Sequence, residues 1–320
     1  MKKGSKIAII GGGTGVYSVL SGLKDYPVKL NAIISMTDDG GSTGVLREEF
    51  GILPPGDIRR ALVALSSEQK TLCDLFNYRF KIGKLKDHNF GNIFITALCK
   101  VFNDDFQKAV EAASEILNIK GKVIPVTLDK GRLNAKLENG KIIVGETNID
   151  IPKYDGKLKI EKVYLRPNCK INPKAKKTIL ESDFIIIGPG DLYTSIIPNL
   201  LVRGIPEAIK KSKAKKIYVC NLMTKFGETN NFYAKDFIYE IENYLGENIL
   251  DYIILNNKIP QGKFLFKYRK AKAKMVRYKD HDFQQKNHYK VKIIKANVIR
   301  MGDFIRHDPK KIAKIIYSLK

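Results

Sequence analysis

The sequence predicts an α/β protein of Rossmann-like, doubly wound type, with a mostly parallel sheet and a β-rich insertion. Three observations carry that expectation. Short apolar runs of strand length alternate with stretches whose apolar residues recur at helical spacing. The first run ends in a glycine cluster, residues 11–15, directly before a helical stretch. Polar, glycine-rich loops follow four of the apolar runs, and ligands bind at such strand ends in open α/β sheets.

The elements follow in order. Residues 6–10 read as a buried strand, and Val16, Val19, Leu20 and Leu23 continue as a helix. A second strand over 28–36 runs into the loop 37–44. Helices are expected over 58–65, 72–80, 93–102 and 106–117, with Asp57 at the N-cap position after Pro54-Pro55-Gly56. The region 122–165 changes character and reads as the insertion. Within it, Asn139-Gly140 between two apolar runs predicts a hairpin with a type I′ turn. Doubly wound order resumes with strands at 184–187, 216–220 and 251–255, and helices near Ile197 and over 234–245. A last helix over 309–319 has Asp308 as cap and Pro309 in its first turn. We expect one α/β domain over residues 1–320, the insertion lying within it.

Composition limits the function classes. Hydrophobic residues make up 44% of 320, which supplies a sizeable core and excludes a disordered chain. No run approaches the ~20 apolar residues of a membrane span. The apolar run after the basic start ends at Gly11, too soon for a signal peptide, so the expected location is the cytoplasm. Cys73, Cys99, Cys169 and Cys220 form no CxxC pair and read as reduced thiols rather than disulfides or zinc ligands. The net charge is +24, and residues 257–320 hold 19 basic and 4 acidic residues, a net of +15. Such a segment attracts anions. No nucleic-acid-binding motif accompanies it, so sequence-specific nucleic-acid binding is not expected.

The chemistry gathers at four strand ends. Gly11-Gly-Gly-Thr-Gly15 suits phosphate, because glycine lets the backbone approach an anion and the next helix points its positive end at it. Gly12, Gly13, Thr14 and Gly15 are the candidates there. The dinucleotide fingerprint fails, since its last glycine would fall on Val16 or Ser18, and no Walker A motif is present. Asp38 and Asp39 admit three roles: a ribose or base contact, a Mg²⁺ site beside a diphosphate, or a turn with local hydrogen bonds. Gly188, Gly190, Tyr193 and Thr194 follow the third strand, and Asn221 follows the fourth. Asn92 is a candidate donor to a ligand. His88 is a candidate general base with no Ser or Cys beside it in sequence, and Arg59 and Arg60 are candidates for phosphate or an acid partner.

These motifs occur in a familiar order. Gly11-Gly-Gly-Thr-Gly15, Asp38-Asp-Gly-Gly-Ser-Thr-Gly44, Pro54-Pro-Gly-Asp-Ile-Arg59, His88-Asn-Phe-Gly-Asn92, Gly188-Pro-Gly-Asp-Leu-Tyr-Thr-Ser195, Cys220-Asn-Leu-Met-Thr224 and Gly227-Glu-Thr229 resemble YvcK-type gluconeogenesis factors of the CofD (2-phospho-L-lactate transferase) superfamily. The resemblance covers nearly the whole chain. It implies a Rossmann-like fold, binding of UDP-sugars, notably UDP-N-acetylglucosamine, and a cytoplasmic role in cell shape and envelope precursor supply during gluconeogenic growth. The superfamily's named enzyme implies the alternative, a phosphoryl or nucleotidyl transferase that uses a nucleotide diphosphate with Mg²⁺. The resemblance also implies that Tyr268 stacks on uracil and Arg306 binds diphosphate. It leaves open a regulated protein partner and a homo-oligomer. Two positions depart from the pattern: Asp191 stands where serine is expected, and Asp87 where glycine is expected.

Overall fold

The computed structural model describes residues 1–68, 70–283, 291–302 and 304–319. Its main sheet has seven strands, numbered in chain order: β1 (Lys6–Gly11), β2 (Lys29–Ile34), β3 (Lys122–Pro125), β7 (Phe184–Ile187), β8 (Lys215–Val219), β9 (Tyr252–Asn256) and β10 (Lys292–Ala296). They lie in the order β3-β2-β1-β7-β8-β9-β10 and all pair in parallel. The chain winds outward one way from β1 and, after β7, the other way. The switch point therefore falls between β1 and β7, where ligand crevices form. β7 is buried at every residue and β1 at every residue but its first, as strands covered on both faces should be.

The helices are α1 (Gly13–Leu23), α2 (Gly41–Phe50), α3 (Gly56–Leu65), α4 (Lys70–Asn77), α5 (Phe90–Val101), α6 (Phe106–Ile116), α7 (Glu146–Asp150), α8 (Pro173–Glu181), α9 (Ile197–Leu200), α10 (Ile205–Lys211), α11 (Ala234–Leu245), α12 (Gly262–Lys270) and α13 (Pro309–Ser318). A π-helical turn, Leu192–Ile196, leads into α9. One group packs α1 against α3 and α13, and another packs α8, α10, α11 and α9 in succession. The insertion is a three-stranded antiparallel sheet of β4 (Arg132–Leu137), β5 (Ile142–Val144) and β6 (Ile160–Arg166). A short pair, β11 (Ile299–Arg300) with β12 (Arg306–His307), precedes α13.

The α/β reading of the sequence holds, and four local expectations are corrected. Residues 122–125 do not open the insertion; they pair with β2 as the edge strand of the main sheet. The segment 37–44 is not all loop, because α2 begins at Gly41. Burial of Ser42, Thr43, Leu46 and Arg47 sustains that helix despite its glycines. The hairpin turn is not type I′, which needs positive φ at both central residues. Only Gly140 of the turn has positive φ (82°), and Gly140 N–H donates to Leu137 O at 2.8 Å, giving a three-residue loop. Finally, Pro55 rather than Asp57 caps α3, and Asp57 lies inside the first turn. Asp308 does cap α13, accepting from the backbone N–H groups of Lys310 and Lys311.

The packing of α1 on α13 depends on Gly22. A Cβ there would lie 2.1 Å from Pro309 O, a backbone atom with little room to retreat. Gly22→Ala should therefore cost about 1–3 kcal/mol through overpacking, read as a melting temperature lowered by several degrees.

Candidate functional site

A cleft of about 950 Å³ opens at the carboxyl ends of the central strands. That is within the usual size range for small-molecule sites. Of the fourteen ligand residues expected from sequence, eleven line it. Gly12, Gly13, Thr14 and Gly15 contribute the β1–α1 turn, Asp38 the end of β2, and Asn92 the start of α5. Gly190, Thr194 and Asn221 come from the loops after β7 and β8, and Tyr268 and Arg306 from α12 and β12. Asp39, Gly188 and Tyr193 are not on the wall.

The first turn of α1 already holds an anionic group of the protein's own. Asp57 Oδ2 accepts from Gly13 N–H at 2.9 Å, and its Oδ1 accepts from Arg60 Nη1 at 3.0 Å. Thr14, exposed in the same turn, faces the cleft beside the positive end of the helix. The starts of α2, α3, α5 and α7 also line the cleft, so five helix N-termini border it.

Several expected ligand groups are already engaged. Asn92 Oδ1 accepts from Arg59 Nε at 3.1 Å, and its Nδ2 reaches Ser42 Oγ and Thr43 Oγ1, each at 3.4 Å. Arg59 also donates to Phe76 O and to Asn77 Oδ1 at 2.6 Å. Burial, aided by Arg60 and Arg79, lowers its pKa to about 10. Asn221 Nδ2 donates to Gly190 O at 2.6 Å, tying the β8 loop to the β7 loop. Tyr193 is a buried core residue whose phenol is pushed upward by burial and by Glu240. Gly188 sits under the loop at φ 73°.

The acidic pair divides. Asp39 turns to the insertion: its carboxylate accepts from Glu146 N–H at 3.1 Å and Thr147 N–H at 2.8 Å, fixing α7 at the cleft. These bonds reach more than a hundred residues along the chain, so Asp39 is not the local turn acid that the sequence allowed. Asp38 stays on the wall, accepting from Gly40 N–H at 3.0 Å, and burial with the neighbouring Asp57 charge raises its pKa to about 6. Glu146 is pushed up to about 9 by burial and then by Asp38, Asp150, Asp39 and Glu228.

A further cluster was not expected. Oxygens of Asp150, Asp191 and Glu228 lie within 4.8 Å of one another, the spacing of a metal site. The ammonium of Lys225 already stands among them, 2.7 Å from Asp191 and 3.3 Å from Glu228, and bonded to Asp150. Burial would lower the Lys225 pKa, but the three carboxylates outweigh it and raise it. Glu228 is raised to about 7, burial outweighing the attraction of Lys225. It also accepts from Tyr193 N–H and the Thr194 hydroxyl. Asp191, where serine is expected, thus has its charge matched by Lys225.

Sequence reasoning missed Ser42, Glu146, Asp150 and Lys225 on this wall. Ser42 stood within the motif 38–44, and Lys225 lies between the motifs 220–224 and 227–229, so a signal was present nearby. Glu146 and Asp150 follow a hairpin more than a hundred residues from Asp38, and no local pattern announces them. The structure also supplies what His88 lacked in sequence: Ser42 Oγ lies 3.4 Å from His88 Nδ1. At the open side, the Tyr268 hydroxyl accepts from Ile305 N–H at 2.9 Å and donates to Ile305 O at 3.2 Å, placing it next to the exposed Arg306. His307 is buried behind them, and burial lowers its pKa to about 4.

Comparison with known proteins shows the family and the fold. The sequence profile of the family described as "2-phospho-L-lactate transferase CofD" matches residues 7–299. The "Gluconeogenesis factor" of Bacillus subtilis is 40% identical over 318 residues, covering 98% of each chain. A "Putative gluconeogenesis factor" of Thermoanaerobacterium thermosulfurigenes is 43% identical, covering 99% of this chain and 97% of its own. A crystal structure of a member of the UPF0052 family from Bacillus halodurans superposes with a TM-score of 0.94 at 38% identity, over 99% of this chain and all of that one. The chain belongs to the YvcK-type gluconeogenesis factors of the CofD family.

Proposed function

We propose that this protein is a cytoplasmic receptor for UDP-sugars, UDP-N-acetylglucosamine first among them. In this reading it regulates cell shape and envelope precursor supply during gluconeogenic growth and does not consume its ligand. The observation that carries the proposal is the cleft at the β1–β7 switch point, bordered by five helix N-termini and lined by Tyr268 and Arg306. The diphosphate belongs at the start of α1, with Thr14 and Arg306 as donors. Tyr268 offers its ring to uracil. The charged wall, with Asp38 and Asp57 near Arg60 and Lys225, suits a ligand that joins an anionic centre to hydroxyl-rich ends. The names of the B. subtilis and T. thermosulfurigenes relatives support the metabolic setting.

A second reading, transfer of a phosphoryl or nucleotidyl group, is favoured by the Ser42–His88 contact. Ser42 Oγ also accepts from Asn89 N–H at 3.2 Å, which suits a brace as well as a nucleophile.

UDP-N-acetylglucosamine should raise the melting temperature, with about 2.7 kcal/mol of stabilisation at 100 times Kd. A shift with NAD and none with millimolar UDP-sugar would overturn the reading. Thr14→Val and Arg306→Ala should each weaken binding by ~1–3 kcal/mol, measured by calorimetry. Arg306→Ala should leave the ligand-free melting temperature nearly unchanged, because the side chain is exposed.

Pure protein incubated for hours with ligand should release no UDP or UMP, and affinity should change no more than a few-fold between Mg²⁺ and chelator. Steady turnover lost in Asp38→Asn or Ser42→Ala would establish the transferase instead.

The Glu146 shift sets a pH signature. Its folded pKa of about 9 exceeds the ordinary carboxylate value, so the folded state binds more protons than the unfolded state between those two values. Stability is then progressively lost as pH rises through that window. Glu146→Gln removes this dependence. It should raise the melting temperature more at pH 8 than at pH 5, and equal effects at both would contradict the assignment.

A further inference from the structure

Phe226 and Ala273 line both the cleft and a second, smaller concavity of about 430 Å³. Four cations line that concavity, Lys157, Arg269, Lys272 and Lys274, with the amides of Asn230 and Asn231 and no carboxylate. The contrast with the groove at the amino ends of β1–β3 is sharp. There, lysines face acids, as in Lys120–Asp25 and Lys174–Glu111.

Two of the cations, Lys272 and Lys274, are held in place. Lys272 adopts φ 53°, an uncommon backbone for lysine, and its Nζ lies 4.7 Å from the centre of the Phe226 ring. Lys274 Nζ donates to Asn231 Oδ1 at 2.9 Å. Its backbone N–H donates to Thr224 Oγ1 at 2.9 Å, and its carbonyl accepts from Thr224 N–H at 2.7 Å. Asn230 donates to Gly156 O, and Gly156 lies against the Phe226 ring, closer than a Cβ would allow. Like charges gathered this way repel one another, and an anion relieves that repulsion.

We propose that this concavity is a second binding site, for a small polyanion carrying two or more phosphate or carboxylate groups. Its size suits a small molecule. Four cationic side chains around one concavity suit a ligand with more than one anionic group. The site meets the cleft at Phe226 and through the Thr224–Lys274 hydrogen bonds, so each ligand is placed to affect the other's affinity. That coupling rests on the UDP-sugar reading; the polyanion site itself does not.

The test uses inorganic tripolyphosphate with the full chain at physiological salt, followed by calorimetry. A triple variant, Lys157→Gln, Lys272→Gln and Lys274→Gln, is compared with one of equal charge elsewhere, Lys81→Gln, Lys84→Gln and Lys86→Gln. Both sets are exposed side chains, so the fold should survive in each. The expected result is one-to-one binding, weakened about tenfold or more in the first variant and less than twofold in the second, with saturating UDP-N-acetylglucosamine leaving the stoichiometry intact. Equal weakening in both variants would mean diffuse attraction to a net-positive protein and would overturn the site. So would displacement by UDP-N-acetylglucosamine, absence of binding at millimolar tripolyphosphate, or a first variant that loses only a single-stranded oligonucleotide. If UDP-N-acetylglucosamine fails to bind while the tripolyphosphate result stands, the receptor reading falls and the polyanion site remains.

Discussion

The cleft depends on a backbone-to-backbone approach at the switch point of the sheet. A Cβ on Gly15 would lie 2.2 Å from Pro189 O, so the β1–α1 turn and the loop after β7 meet with no side chain between them. Gly12 is as restricted, since its Cβ would fall 2.6 Å from Asp57 Oδ2. Other restraints build outward from that contact. Asp57 fastens α3 to α1, Asn221 fastens the β8 loop to the β7 loop, and Glu228 fastens the turn Leu192–Ile196 from below. The loops therefore form one hydrogen-bonded assembly over the carboxyl edge of the sheet, which is what a preorganised anion site requires.

Electrostatics in this assembly run on opposed terms. Helix N-termini and the side chains of Arg59, Arg60 and Lys225 favour negative charge. Asp38, Asp57, Glu146, Asp150 and Asp191 share the same wall. Burial is the largest cause of the upward shifts of Asp38, Glu146 and Glu228, and neighbouring carboxylates add to it. Lys225 settles the balance locally by standing where the three-carboxylate geometry would otherwise take a cation. The wall of the cleft thus combines helix starts and guanidinium groups with carboxylates and is not a uniformly basic surface.

Much of this was legible in sequence, for physical reasons. Glycines at strand ends mark places where backbones must approach, and the β1 and β7 loops did so. Apolar runs that are buried on both faces, such as β1 and β7, declare themselves by composition alone. β10 did not, because an edge strand of sequence Lys-Ile-Ile-Lys-Ala, with no residue fully buried, resembles surface. α2 was hidden by its glycines: its stability comes from packing, with Gly44 so close that a Cβ would lie 2.2 Å from Asp39 O. The contribution of α7 was illegible because Asp39 brings it to the cleft by a contact across more than a hundred residues. Asn92 and Asn221 were legible as cleft residues, but their engagement with Arg59 and with Gly190 depends on tertiary contacts.

Tyr268 shows what a single hydroxyl can impose. It both donates to and accepts from the backbone of Ile305, so α12 and the strand that carries Arg306 behave as one bracket. The aromatic ring and the backbone that leads to Arg306 cannot move apart without breaking both bonds. The bracket is exposed at Phe266, which is not on the cleft wall, and at Phe304, which is. Whatever grasps it from outside gains a lever on the rim of the cleft, and whatever fills the cleft changes the shape of the handle that it presents.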